Sequence, residues 1–383
     1  MPGKNQFSRR EVIKLAGMGL LSAVLSEACA PKKVAVVPEK PPVRPYRYFP
    51  MVKVSRDRII RQAVGLRPFR PSGFVVRYER LGDKDIVHNY GHGGGGLTLS
   101  WGTSHIAVEK AIPLRHRSCA VIGCGAVGLA TARLMQLKGC DVTIYAKDLP
   151  PNTTSNVAAG QWSPFTVFDP DSITTDFFNE FIRASRLSYG YYRKLIGSYY
   201  GVSVAENFYF GDYPVELPDA VEELPELYGE LTTLVSGQYP FNEPSCIMVK
   251  TMLIDSPTYL YAMMNDFRKD GGKIFVRNFD DTVELLALQE PLIINCTGLG
   301  SYYLFNDREL VPIKGQLIAL ITQPEVDYII LDERTGIYMI PRSDGVMLGG
   351  SRDYGDWSLV PDPTVTERIF TRQSEFWNRV PSV

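Results

Sequence analysis

The sequence predicts an α/β protein, and three observations predict it. Residues 118–146 run SCAVI, GCGAVG, LATARLMQLKG and DVTIYA: a short apolar run, a glycine-rich turn, a helical stretch and a second apolar run within about thirty residues. Further on, Ser256-Pro257 open a helix that Gly271 and Gly272 close, and LIINC at 292–296 is again a short apolar strand. The chain has 383 residues, 45% hydrophobic and 22% charged, which is enough for a large core and two domains. Its 33 glycines and 27 prolines suit a loop-rich α/β enzyme. A net charge of −1 gives no footing for a nucleic-acid or polyanion partner.

The N-terminus reads as a targeting segment. SRREVIK at 8–14 is basic, LAGMGLLSAVL at 15–25 is apolar, and Ala28-Cys29-Ala30 offers small residues for cleavage. The apolar run is short of the ~20 residues that span a bilayer. Arg9 and Arg10 before a mild apolar region resemble a twin-arginine export signal, which implies the Tat translocon as a partner in transit and a periplasmic destination. Cys29 is alternatively a lipidation site and the one route to a membrane, although the charge of Glu27 departs from a lipobox. Residues 1–30 are thus expected to be a signal peptide. Residues 31–50 hold six prolines and are expected to run as an extended tether. Cys119, Cys124, Cys140, Cys246 and Cys296 have no CxxC or Cys/His zinc spacing, so no metal site is readable.

Within the fingerprint each residue type has a reason. Gly123 permits the tight turn, Gly125 lets the backbone approach a pyrophosphate, and Gly128 lets helix and strand pack closely. The helix that starts at Ala126 and Val127 offers free N–H groups and a positive dipole end to phosphates. Lys147 stands where a ribose-binding acid is expected; Asp148, which follows, is the candidate.

Other stretches separate a flavin from a nicotinamide. GLRPFRP lies at 65–71, HNYGHGGGGLT at 88–98, NTTSNVAAGQWSP at 152–164, NCTG at 295–298, IYMIP at 337–341 and VMLGG at 346–350. Together they resemble the D-amino-acid oxidase family of flavoproteins, which includes D-aspartate oxidase, over most of 55–380. In that family GxGxxG opens the chain, whereas GxRPxRP and HNYGHGGxGLT close it. Here the closing motifs come first, so the chain resembles a circular permutant. A helix of roughly 96–112 carries the chain about 22 Å away from the glycines, and the strand at 118–122 returns it. PLRHR at 113–117 suffices as the join, and the present ends are expected to be neighbours.

The resemblance implies FAD as cofactor and a small amino acid as substrate, with oxygen or another electron acceptor. It implies that Arg67 holds the substrate carboxylate, that Arg70 is structural, and that Tyr338 stands near substrate or flavin. Gly93, Gly94, Gly95 and Gly96, with Leu97 and Thr98, fall at the flavin ring. Gly95 stands where some relatives have an aromatic residue. Thr153, Thr154 and Ser155 suit the pyrophosphate or ribityl chain; Ala159, Gly160 and Gln161 follow the ring edge, and Thr297 and Gly298 close over the dinucleotide. In the family a segment with tyrosines forms a lid over the substrate; the matching stretch here, 237–255, offers only Tyr239, so the side-chain pocket is expected to differ and D-amino acids are not assured as substrates.

The expected architecture is a Rossmann-like FAD domain of approximately 82–169 and 245–300. It is joined by a mixed-sheet substrate domain of approximately 51–81, 170–244 and 301–383. Three functions stay open: an exported D-amino-acid oxidase, an FAD dehydrogenase of another small amine or amino acid such as glycine or sarcosine that feeds a quinone, and a non-catalytic module. Oligomeric state is not readable.

Overall fold

The computed structural model describes residues 46–379 apart from 165, 212–223, 230 and 242–244. The expected signal peptide, Cys29 and most of the expected tether lie outside the described residues. In chain order the strands and first helices are β1 (Ile59–Phe69), β2 (Val75–Leu81), β3 (Lys84–Tyr90), α1 (Gly96–Ala111), β4 (Ser118–Ile122), α2 (Ala126–Leu137), β5 (Asp141–Ala146), α3 (Thr154–Val157) and α4 (Thr175–Leu195). There follow β6 (Val202–Phe210), β7 (Thr232–Val235), β8 (Ser245–Ile254), β9 (Lys273–Val276), β10 (Leu292–Asn295), β11 (Val311–Leu320), β12 (Tyr328–Asp332), β13 (Ile337–Arg342), β14 (Gly345–Gly349) and β15 (Asp353–Tyr354). Long helices at Ser256–Lys269 and Pro363–Asn378 complete the frame.

These strands form two sheets. One has the order β2-β3-β10-β4-β5-β9, with β3, β10, β4, β5 and β9 parallel and β2 antiparallel on the edge. Its central strands are fully buried apolar runs, as a sheet covered on both faces requires. From β4 the chain moves outward to β5 and β9, then returns to β10 on the other side of β4. That reversal makes the carboxyl ends of β4 and β10 the switch point where such sheets bind ligands. The second sheet runs β1-β11-β14-β13-β12-β6-β8-β7, with β15 on β11. It is mixed, as expected: β12 and β6 are parallel and the other pairs antiparallel.

The sheets divide the chain at other points than the sequence suggests. β2 joins β3 in the parallel sheet instead of the substrate domain, because Gly82, at φ +58°, turns the chain straight back into a hairpin. β8 belongs to the mixed sheet, where it pairs with β6 over eight residues. The helix after β8, Ser256–Lys269, packs on α2 instead.

α1 is buried along nearly its whole length between α2 and α4. Gly102 is the crossing point with α4, since a Cβ there would lie 1.8 Å from the Ala184 carbonyl oxygen. After α1 the loop to β4 is clamped. His116 Nε2 lies 2.6 Å from Asp85 Oδ2, and Arg80 and the Tyr78 hydroxyl donate to Oδ1. Burial raises the Asp85 pKa, but the hydrogen bonds from His116, Arg80 and Tyr78 outweigh it and hold the carboxyl at about 2. A depressed carboxylate stabilises the fold above its unfolded pKa and loses that contribution as pH falls through the folded one. Asp85→Asn is therefore expected to cost about 1 kcal/mol at neutral pH. The deficit should vanish in urea melts as the pH approaches 2.

The described ends of the chain pack together. Phe49 and Trp377 both contact the rings of Tyr328 and Phe241, Arg56 pairs with Glu367 at 2.6 Å, and the Arg56 guanidinium sits 4.4 Å from the Phe370 ring.

Candidate active site

The glycines of 123–128 meet the loop after β10. Gly123 has φ +114°, and a Cβ on it would lie 2.4 Å from the Cys296 carbonyl oxygen; its N–H donates to the Tyr145 carbonyl. A Cβ at Gly128 would lie 2.1 Å from the Gly123 oxygen, which explains the helix–strand approach. Gly125 is the N-cap of α2 and brings no side chain to it. The Ala126 N–H is taken by the Ser155 hydroxyl at 3.0 Å, which ties α3 to the start of α2, where Val127 forms the first turn. Thr153 donates to the Asn156 side chain and Thr154 lies against Gly65. Asp148 is exposed just past the end of β5. On the other side of the switch point, Thr297 is fixed by Asn295 and Ser301, and Gly298 stands over Pro68 of β1.

The second glycine run follows β3. Gly93 has φ +53°, and a Cβ there would meet the Thr166 carbonyl oxygen at 2.2 Å. Gly94 donates to that same oxygen and Gly95 to the His92 carbonyl. Gly96 then starts α1, whose N-terminus no side chain caps. The ring of His92 is stacked on Phe74 and bonded to Thr103; burial pushes its pKa down to about 3, so it is neutral. Ser188 and Tyr192 of α4 donate to the carbonyls of Thr98 and Leu97. The Thr98 hydroxyl donates to the Ser163 carbonyl and accepts from the Ser163 N–H, both at 3.1 Å. Thr98 thus holds the 159–164 segment against the glycine run. Gly160 and Trp162 of that segment are bonded to β8, Ala159 packs against the apolar cluster around Ala205, Leu317 and Ile329, and Gln161 donates to the Tyr209 hydroxyl at 3.0 Å.

β1 carries the two arginines, and they differ. Arg70 is saturated: it bonds Asp307, Glu309, Ser72 and the Gly73 carbonyl, which fits the expected structural role. Arg67 is half-buried, and the hydrogen bond it makes among the described residues is a long one of 3.4 Å to the Ser351 carbonyl. Among the described residues no carboxylate lies within 4.0 Å of it. Burial pulls its pKa below the usual arginine range, with Tyr338 acting against the fall. The guanidinium lies over Gly315 of β11, where a Cβ would come within 2.6 Å of Nη2. The Tyr338 ring lies over Gly349 of β14, where a Cβ would meet it at 1.9 Å. Two glycines on neighbouring strands thus make room for a cation and a phenol on one face of the sheet.

The structure does not bring Tyr239 to this face. Its ring is packed with Phe210 and Phe241 on the side covered by helix Pro363–Asn378. A separate groove of about 670 Å³ runs along α1 and α4 and contains none of these residues; its arginines are paired, Arg183 with Glu109 and Arg186 with Glu226. The sequence reading missed Asn207, Tyr209, Tyr228 and Ser163, which line the same inner face. They are carried by three separate segments, Asn207 and Tyr209 sharing β6, with no motif among them.

This geometry fits FAD. The switch-point turn has three glycines at which a Cβ is blocked or crowded, the α2 N-terminus bears only the Ser155 hydroxyl on its Ala126 N–H, and the N-terminus of α1 that follows Gly93–Gly95 carries no side-chain cap from Gly95. Residues 123–128 and 153–155 would hold the pyrophosphate, and 93–98 and 159–161 the ring.

The FAD dependent oxidoreductase (DAO) family matches residues 45–110 and 118–382. The chain is 32% identical over 262 residues to "D-amino-acid oxidase" of Dictyostelium discoideum, covering 66% of this chain and 70% of that protein. It is 29% identical over 273 residues to the human "D-aspartate oxidase", covering 66% and 74%. The crystal structure of glycine oxidase from Geobacillus kaustophilus superposes with a TM-score of 0.51 at 14% identity, over 69% of this chain and 80% of that one, a likeness of fold.

Proposed function

Because the chain belongs to the FAD dependent oxidoreductase family, we propose that it oxidises a D-amino acid to the 2-oxo acid, releasing ammonia and hydrogen peroxide. The observation that supports this most is Arg67, a half-buried guanidinium that no described carboxylate approaches within 4.0 Å, Asp353 acting on it only from farther off. A desolvated cation left unpaired costs stability, so its presence on the inner face argues for a ligand that completes it. A substrate carboxylate matches the planar fork with two parallel hydrogen bonds.

When bound, FAD supplies the two-electron acceptor. Arg67 and the Tyr338 hydroxyl fix the carboxylate and thereby the α-carbon, which is the positional part of catalysis. The bond that breaks is Cα–H, whose electron pair leaves with the hydrogen as the neutral amine becomes an iminium. Water then adds to that iminium, giving the 2-oxo acid and ammonium. Oxygen, taking up the two electrons and two protons, becomes hydrogen peroxide. No side chain of this face need move a proton, and none within it is an obvious base.

The test is flavin absorbance of the purified holoprotein, mixed without oxygen with D- and L-amino acids in turn and then aerated. Bleaching by D-isomers, followed by recovery with peroxide, is expected. A bound flavin that no amino acid bleaches would sink the reading. Bleaching without peroxide on aeration would instead favour a dehydrogenase with another acceptor.

We also propose that the chain is a circular permutant of its family. The family match in two pieces supports this, as do the packed ends at Phe49, Arg56, Glu367 and Trp377. A chain relinked from Arg379 to Tyr46 and opened between Arg115 and Arg117 is expected to fold and bind FAD. Failure to fold under any linker length would count against the proposal.

A further inference from the structure

The inner face of the mixed sheet continues past the proposed carboxylate site. Gly349, Tyr338, Leu331 and Tyr209 are direct neighbours across β14, β13, β12 and β6. Three strand spacings, about 14 Å, separate the first from the last. At the far end the row becomes polar. Asn207, two residues before Tyr209 and on the same face, is fully buried, and a loose approach to the Tyr209 hydroxyl aside, neither its Oδ1 nor its Nδ2 makes a hydrogen bond of good geometry. The Tyr228 hydroxyl, Ser163 Oγ and Trp162 Nε1 are likewise sealed from solvent, and the closest they come to a side-chain partner is a loose approach of Ser163 to the Tyr228 hydroxyl. These groups lie together. The Trp162 and Tyr228 rings are 6.1 Å apart, Ser163 tempers the burial-driven rise of the Tyr228 phenol, and Gln161 holds the Tyr209 hydroxyl. Ser163 is also bonded to Thr98, so the cluster faces the glycine run.

Buried polar groups are almost always satisfied, and a cluster of them left open on one wall marks the place of a ligand group. We propose that Asn207, Tyr228 and Ser163 form a specificity subsite for the substrate's side chain, and that it selects a neutral hydrogen-bonding group, a carboxamide above all. The inference rests on the oxidase reading given above. An amide side chain donates and accepts, and it pairs with the Asn207 amide in both senses while the hydroxyls of Tyr228 and Ser163 fill its remaining sites. An aliphatic side chain would leave all of them open. A carboxylate side chain would find no cation in the cluster, and Glu333 already adds its negative charge to the field at Tyr209.

The experiment compares kcat/KM of the holoprotein for D-asparagine, D-glutamine, D-leucine, D-methionine and D-aspartate. It includes Asn207→Leu and, as a second variant, Tyr228→Phe. Wild type is expected to prefer the carboxamides. Asn207→Leu should cut that preference about tenfold to a hundredfold while leaving D-leucine within about threefold. Binding without turnover gives a second readout: 2-oxosuccinamate should raise the Tm of the wild type more than 4-methyl-2-oxopentanoate does, and Asn207→Leu should reverse that order. If D-leucine is the better substrate and neither variant shifts the ratio, the subsite is refuted while the oxidase reading stands. If no amino acid reduces the flavin, both fall together.

Discussion

Arg67→Met is expected to lower kcat/KM by two to three orders of magnitude and, at the same time, to raise Tm. The first half follows from the fork. Two charge-assisted hydrogen bonds to a carboxylate in a dry site are together worth about 3–4 kcal/mol, and each 1.4 kcal/mol is tenfold. The second half follows from the partners Arg67 lacks. Its guanidinium is held over Gly315 with one 3.4 Å hydrogen bond, and burial already pulls its pKa down. Methionine keeps the apolar stem, fills the same space and removes an unpaired charge, a change worth about 1 kcal/mol to the fold. Arg67→Lys should fall between, because the charge persists and the planar fork does not. Arg70→Met is the contrast. That side chain holds Asp307 and Glu309, so its loss should lower Tm first. If Arg67→Met were destabilised like Arg70→Met, with activity falling only in step with folded protein, Arg67 would be a structural residue.

How much of this was legible in the sequence depends on how far apart the cooperating residues lie. The 123–128 turn was legible because its three glycines, its strand and its helix are contiguous, and each glycine answers a local steric demand. The motif separates Arg67 from Arg70 only by resemblance, and the structure differs between them in that Arg70 is ion-paired with Asp307 and Glu309 whereas no described carboxylate lies within 4.0 Å of Arg67. Sheet membership was harder. β2 reads as an ordinary strand, and only the reversal at Gly82 assigns it to the parallel sheet. The side-chain wall was not legible at all. Asn207 and Tyr209 come from one strand, but Tyr228 comes from a loop and Ser163 from a segment some forty residues earlier, so no window of sequence brings the strand pair together with the other two. Tyr239, the one tyrosine of 237–255, lies away from this face for the converse reason. A tyrosine amid Phe210, Phe241 and Phe376 gains more from aromatic packing than from facing a ligand.

Gly123→Ala should yield a protein that purifies without flavin. The position combines two demands that alanine cannot meet. Its φ of +114° lies where L side chains rarely go, and its Cβ would stand 2.4 Å from the Cys296 carbonyl oxygen. Relief requires the β4 and β10 loops to part at the switch point, a displacement that also moves Gly128, whose own space is bounded by the Gly123 oxygen. Strain and steric overlap of this kind cost about 2–4 kcal/mol. The damage falls on the turn that would cradle the pyrophosphate, so affinity for FAD should drop at least a hundredfold. Gly139→Ala supplies the control. Its φ of +82° carries similar backbone strain, but nothing lies within 4 Å of the added methyl. It should cost about 1 kcal/mol and leave the flavin in place. The readouts are the ratio of flavin to protein absorbance and the Tm of each apoprotein titrated with FAD. Wild type and Gly139→Ala should gain Tm as RT ln(1 + [FAD]/Kd), and Gly123→Ala should not respond at the same concentrations. A Gly123→Ala protein that purifies yellow at full stoichiometry would mean that the cofactor's phosphates lie elsewhere, and the assignment of 123–128 would have to be abandoned.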